Sequence, residues 1–151
     1  MATHLEVGNK APAFTGVDQN GAKISLKDYA GKKVVIFFYP EDDTPVCTVQ
    51  ACNLRDNYAL LKSKGFEVIG ISPNDVASHK KFENKFQLPY PLIADTKHSI
   101  IEKYGVWGEK NLYGNKFMGL LRTTFVIDEK GVITKIFKKP RTKAHAEEIL
   151  K

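Results

Sequence analysis

The chain has 151 residues, 42% of them hydrophobic and 26% charged, which favours one domain, residues 1–151, with a buried core and excludes a disordered tail. It carries 23 Lys and Arg against 17 Asp and Glu, a formal charge of +6, and two cysteines, Cys47 and Cys52. No stretch approaches the roughly 18 apolar residues of a membrane span, and "MATHLEVGNKAPAFTG" has no apolar run of secretory-leader length.

In chain order, "KISLKDYAGK" alternates and then turns at Gly31, a short strand entering a loop. "KKVVIFFY", residues 32–39, is β-branched and aromatic with no polar face, as in a strand buried on both sides and central in a sheet. Pro40 ends it, since proline cannot continue the ladder. From Pro45 the pattern is helical, with Val46, Val49, Leu54, Tyr58 and Leu61 recurring through to Lys64, and Gly65 stops it. Thr44 is the expected N-cap and Pro45 the first helical residue. "FEVIGIS" is a second strand, "NDVASHKKFENKFQL" a helix opened by an Asx cap, and "YPLIAD" a third, short strand. "SIIEKYGV" is helical and "WGEKNLYGNKFMG" a Gly-rich excursion. "RTTFVID-EKG-VITKIF" is an antiparallel hairpin turning at Glu129 to Gly131, and "KAHAEEILK" a closing helix. This order predicts a mixed α/β sheet with helices on both faces.

The thiols carry the chemistry. Cys47 falls in the first turn of a helix that begins just after a central strand, where free N–H groups and the helix dipole favour an anion and hence a thiolate. A free cysteine is also often just a small buried hydrophobe. Zinc would need two more ligands, and His4, His79, His98 and His145 are scattered, each reading as a surface or capping histidine. A thioredoxin-type dithiol would want Cys-x-x-Cys, a closer spacing than this.

"FFYPEDDTPVCTVQAC" resembles the peroxiredoxin active site, Pro-x-x-x-Thr-x-x-Cys, in Pro40, Thr44 and Cys47. A second cysteine five residues on is similar to the bacterioferritin comigratory protein, or peroxiredoxin Q, subfamily. The resemblance continues in "VGNKAPAFTGVDQNGAKISLKDYAGK", "YGVWGEK", "FMGLLRTTFVIDEKG" and "HAEEIL". It implies a thioredoxin-like fold, a central mixed β-sheet flanked by helices with an N-terminal β extension. It also implies Cys47 as peroxidatic cysteine, Cys52 as resolving cysteine, and Arg122 with Thr44 and Pro40 completing the peroxide site. Two positions depart from the pattern: Gln50 stands where relatives usually carry a glutamate that helps hold an arginine, and Val46 where they usually carry glycine or a small polar residue.

The implied reaction is attack of the Cys47 thiolate on hydrogen peroxide or an organic hydroperoxide, giving a sulfenic acid. A thiol with pKa near 8.5 is already about 3% ionised at pH 7, so full ionisation gains at most ~30-fold, or ~2 kcal/mol. The rest must come from donors to the leaving oxygen, Arg122, the Thr44 hydroxyl and N–H groups of the helix start, with Pro40 as a dry wall. Residues i and i+5 of a helix have Cα atoms about 8–9 Å apart, and a disulfide wants less than about 7 Å. The first helical turns must therefore unwind before Cys52 can resolve the sulfenic acid, and the strained disulfide would be readily reduced by a thioredoxin-like dithiol.

No cofactor and no metal are expected. Two cysteines fit a reducing, cytoplasmic compartment, although an organelle protein after loss of its transit peptide would look the same. No cysteine follows position 52, so none can resolve a neighbouring subunit from a C-terminal tail, and a monomer is expected. The basic run "FKKPRTK", residues 137–143, lacks interleaved aromatics. It reads as a solvated helix start or a docking rim for an acidic partner, not a nucleic-acid site. A disulfide oxidoreductase acting on partner proteins is the alternative enzyme class, and a binding protein with incidental thiols the non-enzymatic one.

Overall fold

The computed structural model describes residues 3–151. An antiparallel ribbon of β1 (Thr15–Val17) and β2 (Lys23–Ser25) forms the N-terminal extension, and a 3-10 turn over Leu26–Tyr29 follows it. The apolar run then becomes β3 (Lys33–Phe38). After it come the helices α1 (Pro45–Asp56) and α2 (Tyr58–Ser63), then β4 (Phe66–Ser72), α3 (Val76–Phe86), β5 (Leu92–Ala94) and α4 (Ser99–Lys103). The chain closes with β6 (Trp107–Leu112), β7 (Asn115–Leu120), β8 (Thr123–Ile127), β9 (Ile133–Phe137) and α5 (His145–Leu150).

Five strands make the central sheet in the order β5-β4-β3-β8-β9, parallel between β3, β4 and β5 and antiparallel across β8 and β9. The predicted central strand is thus central. Its alternate side chains feed two cores, as a period of two requires. Val34, Ile36 and Phe38 pack with Ile69, Ile71, Ile101 and Phe125 on one face. Val35, Phe37 and Tyr39 pack with Cys47, Ala51, Leu54 and Leu61 on the other. The mixed sheet with helices on both faces is the thioredoxin-like arrangement expected from the sequence.

Two local readings change. The single helix expected from Pro45 to Lys64 is two, because Asn57 leaves helical geometry at φ −108°, ψ 10° and its side chain donates to the Asn53 carbonyl at 2.8 Å. The face α1 buries is Cys47, Gln50, Ala51 and Leu54, while Val46 and Val49 are 52% and 37% exposed. The Gly-rich excursion is a hairpin of β6 on β7. Its turn is Tyr113–Gly114, both at positive φ, 52° and 83°, the backbone that matches the twist of two paired strands. Among the described residues no helix is long and apolar enough to cross a membrane.

Candidate active site

Strand register assembles the site. Phe38, ending β3, pairs with Thr123, beginning β8, so Arg122 stands at the same sheet end as the loop that leaves β3. That loop passes Pro40, half-buried, takes a left-handed step at Asp43 (φ 58°), and reaches Thr44, extended at φ −92°, ψ 156°, as N-cap of α1. Pro45, Val46 and Cys47 then occupy the first three helical positions; the proline has no N–H, and those of Val46 and Cys47 have no acceptor within the helix.

Cys47 is 1% exposed. Nη2 of Arg122 donates to its Sγ at 3.1 Å, and Nη1 donates to Oε1 of Gln50 at 2.6 Å. Gln50 follows Cys47 by three positions and so shares its helix face. It is fully buried, and its Nε2 has no partner among the described residues. The arginine is therefore oriented by a neutral amide, which leaves its charge uncompensated by the group that holds it.

Thr44 occupies the expected N-cap position but makes no side-chain cap bond. Its hydroxyl donates to the Glu41 carbonyl at 2.9 Å. With the proton committed there, the hydroxyl oxygen keeps its lone pairs as an acceptor. Cys52, half-buried, lies five residues beyond Cys47 on α1, and both thiols are free. Burial pushes the Cys52 thiol pKa up, with Arg55 offsetting and Asp56 adding to the shift.

Sequence reasoning missed two features. The first is Lys110 on β6, half-buried, whose ammonium pKa is pushed down by burial and by the Arg122 charge and drawn back up by Cys47. The hairpin thus brings a second cation within the field of the site. The second is a buried clasp under the loop. Asp42 accepts from Tyr39 OH at 2.6 Å and Ser78 Oγ at 2.7 Å, and its Oδ2 lies 2.7 Å from Nδ1 of His79. Nε2 of His79 faces the Ile93 carbonyl at 2.9 Å, so it must carry a hydrogen, since a carbonyl only accepts. His79 and His145 are fully buried, not the surface or capping residues expected, because both ring nitrogens of each find partners. His98 does sit at an N-cap, of α4. Among the described residues no three His, Cys, Asp or Glu side chains converge as a metal site would need.

A loop ending in a buried thiol at a helix start, faced by an arginine that immediately precedes an adjacent strand, defines a thiol-chemistry site on a thioredoxin-like sheet. Residues 7–136 match the model of the AhpC/TSA family, and the chain belongs to that family. Within it, the chain is a peroxiredoxin of the bacterioferritin comigratory, or Q, type. It is 44% identical to the putative peroxiredoxin bcp of Coxiella burnetii over 146 residues, 97% of each chain. It is 40% identical to peroxiredoxin Bcp of Escherichia coli, over 97% of this chain and 94% of that one. Among solved structures it superimposes on peroxidoxin BcpB of Mycobacterium tuberculosis with a TM-score of 0.86 at 32% identity, covering 97% and 95% of the two chains. Peroxiredoxin Q of Xanthomonas campestris matches with a TM-score of 0.86 at 28% identity, over 98% and 94%. The protein is accordingly a thiol-dependent peroxidase, an oxidoreductase acting on peroxides with a thiol reductant.

Proposed function

We propose that Cys47 reduces hydrogen peroxide and organic hydroperoxides through a sulfenic acid, that Cys52 resolves it as an intramolecular disulfide, and that a thioredoxin-like dithiol recycles the enzyme. The carrying observation is the 3.1 Å contact of Arg122 with Cys47 Sγ at a helix start. In the first step the Cys47 sulfur attacks one peroxide oxygen in line. The S–O bond forms as the O–O bond breaks, and the other oxygen takes a proton and leaves as water or alcohol. Arg122 stabilises the charge moving onto that oxygen, Thr44 accepts from the peroxide O–H, and Pro40 helps keep water out.

In the second step the Cys52 sulfur attacks the sulfenic sulfur, the S–S bond forms and water departs. Wound in α1, Cys52 is too far along the helix to do this, and burial holds its proton on. Unwinding removes both obstacles. The segment is suited to it. Val46, Thr48 and Val49 are β-branched, poor helix formers, and the helix has no side-chain cap bond at its start. The break at Asn57 separates α1 from α2, so the first helix can open without unravelling the second. No cysteine follows position 52 in the sequence, and a monomer suffices for this cycle.

Stopped-flow mixing with hydrogen peroxide tests the roles. Cys47→Ser should consume no peroxide. Cys52→Ser should turn over once and stall as sulfenic acid when thioredoxin is the sole reductant. Sustained wild-type turnover by the Cys52 variant would remove the resolving role.

A further inference from the structure

The cationic loop between β9 and α5 takes no part in the peroxide chemistry. Lys138, Lys139, Arg141 and Lys143 are all exposed, and among the described residues none of them joins an ion pair. Two carboxylates of α5 stand nearby. Glu148 is occupied, accepting from the Arg141 N–H at 2.8 Å and lying 2.6 Å from Nδ1 of His145, while Glu147 is exposed. The loop therefore presents a cationic surface.

That surface is tied to the segment carrying Cys52. Nδ2 of Asn53 donates to the Lys143 carbonyl at 3.0 Å, and its Oδ1 accepts from the Ala146 N–H at 2.8 Å. Helix α5 has Ala144 at its N-cap and no side-chain cap bond of its own. Asn53, from a different helix, supplies the acceptor that a capping residue gives to the second helical N–H. The end of the basic loop is thus held against the residue next to Cys52.

We propose that loop 138–143 is the docking surface for the protein dithiol that reduces the enzyme, a partner presenting carboxylates around its thiols. The proposal rests on the Cys47–Cys52 disulfide described above. The partner's thiolate must reach one sulfur of that disulfide. The S–S bond breaks as a mixed disulfide forms, and the partner's second thiol then displaces the cysteine, so that the enzyme leaves as two thiols and the partner as a disulfide. Such a partner must seat beside Cys52, and unpaired surface cations steer an oppositely charged protein there. Unwinding α1 also withdraws Asn53 from Ala146, so the loop is released in the form that needs reduction.

The test uses thioredoxin, with its reductase and NADPH, as the reductant. In the double variant Lys139→Glu with Arg141→Glu, the second-order rate of disulfide reduction by thioredoxin should fall about tenfold. The fall in that rate with rising ionic strength should flatten relative to wild type. Oxidation of Cys47 by peroxide and reduction of the disulfide by dithiothreitol should be unchanged, and the neutral pair Lys139→Gln with Arg141→Gln should lie between. An unchanged thioredoxin rate with unchanged salt dependence would overturn the docking surface alone. A wild-type disulfide that dithiothreitol reduces and thioredoxin does not would overturn both the docking surface and the thioredoxin assignment. Oxidised protein that contains no Cys47–Cys52 disulfide would overturn the resolving reading and the docking surface with it.

Discussion

Arg122 donates to Oε1 of Gln50 at 2.6 Å, so the cation beside Cys47 is oriented by an uncharged side chain whose own Nε2 is buried with no partner among the described residues. Leaving a buried donor unmade costs about 1–3 kcal/mol. Gln50→Glu removes that donor and turns the contact into an ion pair, with both partners charged. The variant should be more stable, by about 1 kcal/mol once the desolvation of the new carboxylate is set against the gain. Chemical denaturation of the reduced proteins measures this. A midpoint below wild type would mean that burying the carboxylate outweighs its bond to Arg122.

Arg122→Ala should lose much more peroxidase rate than thiol ionisation can explain. Ionising an ordinary thiol completely at pH 7 is worth at most ~30-fold, whereas a donor aimed at developing charge is worth about 100- to 1000-fold. Measuring the peroxide step across pH, alongside titration of Cys47 by thiolate absorbance, separates the two. If the titration accounts for the whole loss, the arginine does not act on the leaving oxygen.

His145 predicts an acid-sensitive C-terminal helix. Burial lowers its pKa from the ordinary value of 6.5, with Glu148 opposing and Arg122 adding to the shift. The contacts agree with a neutral ring, Nδ1 donating to Glu148 and Nε2 accepting from Thr124 at 2.8 Å. A depressed pKa means that the unfolded chain binds the proton first. The stability it contributes is present above pH 6.5 and is lost as the pH falls through the folded value. His145→Gln should therefore flatten the decline in stability below pH 6.5, read from unfolding midpoints over a pH series. An undiminished decline would assign it to the carboxylates instead.

Much of this was legible in the sequence because burial and pattern agreed. The run Val34–Tyr39 had no polar face and is buried throughout, and the Thr-Pro step marked the start of α1. The break at Asn57 was hidden because Tyr58 and Leu61 continue the apolar repeat across it. Val46 and Val49 looked like core, yet the buried face of α1 includes Cys47 and Gln50, a thiol and an amide. The β6–β7 hairpin escaped because, among the described residues, its strands pair only with each other and its glycines and charges read as loop. The buried histidines escaped for a related reason. Asp42 lies 37 residues from His79 and Thr124 lies 21 from His145, and no local pattern announces partners so distant. Arg122 alone reads as a strand-end surface residue, and only the family resemblance singled it out.

The central claim is that α1 has two states, wound for attack on peroxide and open for the disulfide. Opening breaks roughly two turns of helical hydrogen bonds, each worth about 1 kcal/mol net, so the disulfide form should be the less stable fold. Amide hydrogen exchange in the reduced protein and in a verified Cys47–Cys52 disulfide measures this most directly. Exchange over residues 44–56 should speed up on oxidation, the Ala146 amide that Asn53 caps should open with it, and both should slow again on reduction. Unchanged protection across 44–56 in the verified disulfide would contradict the account.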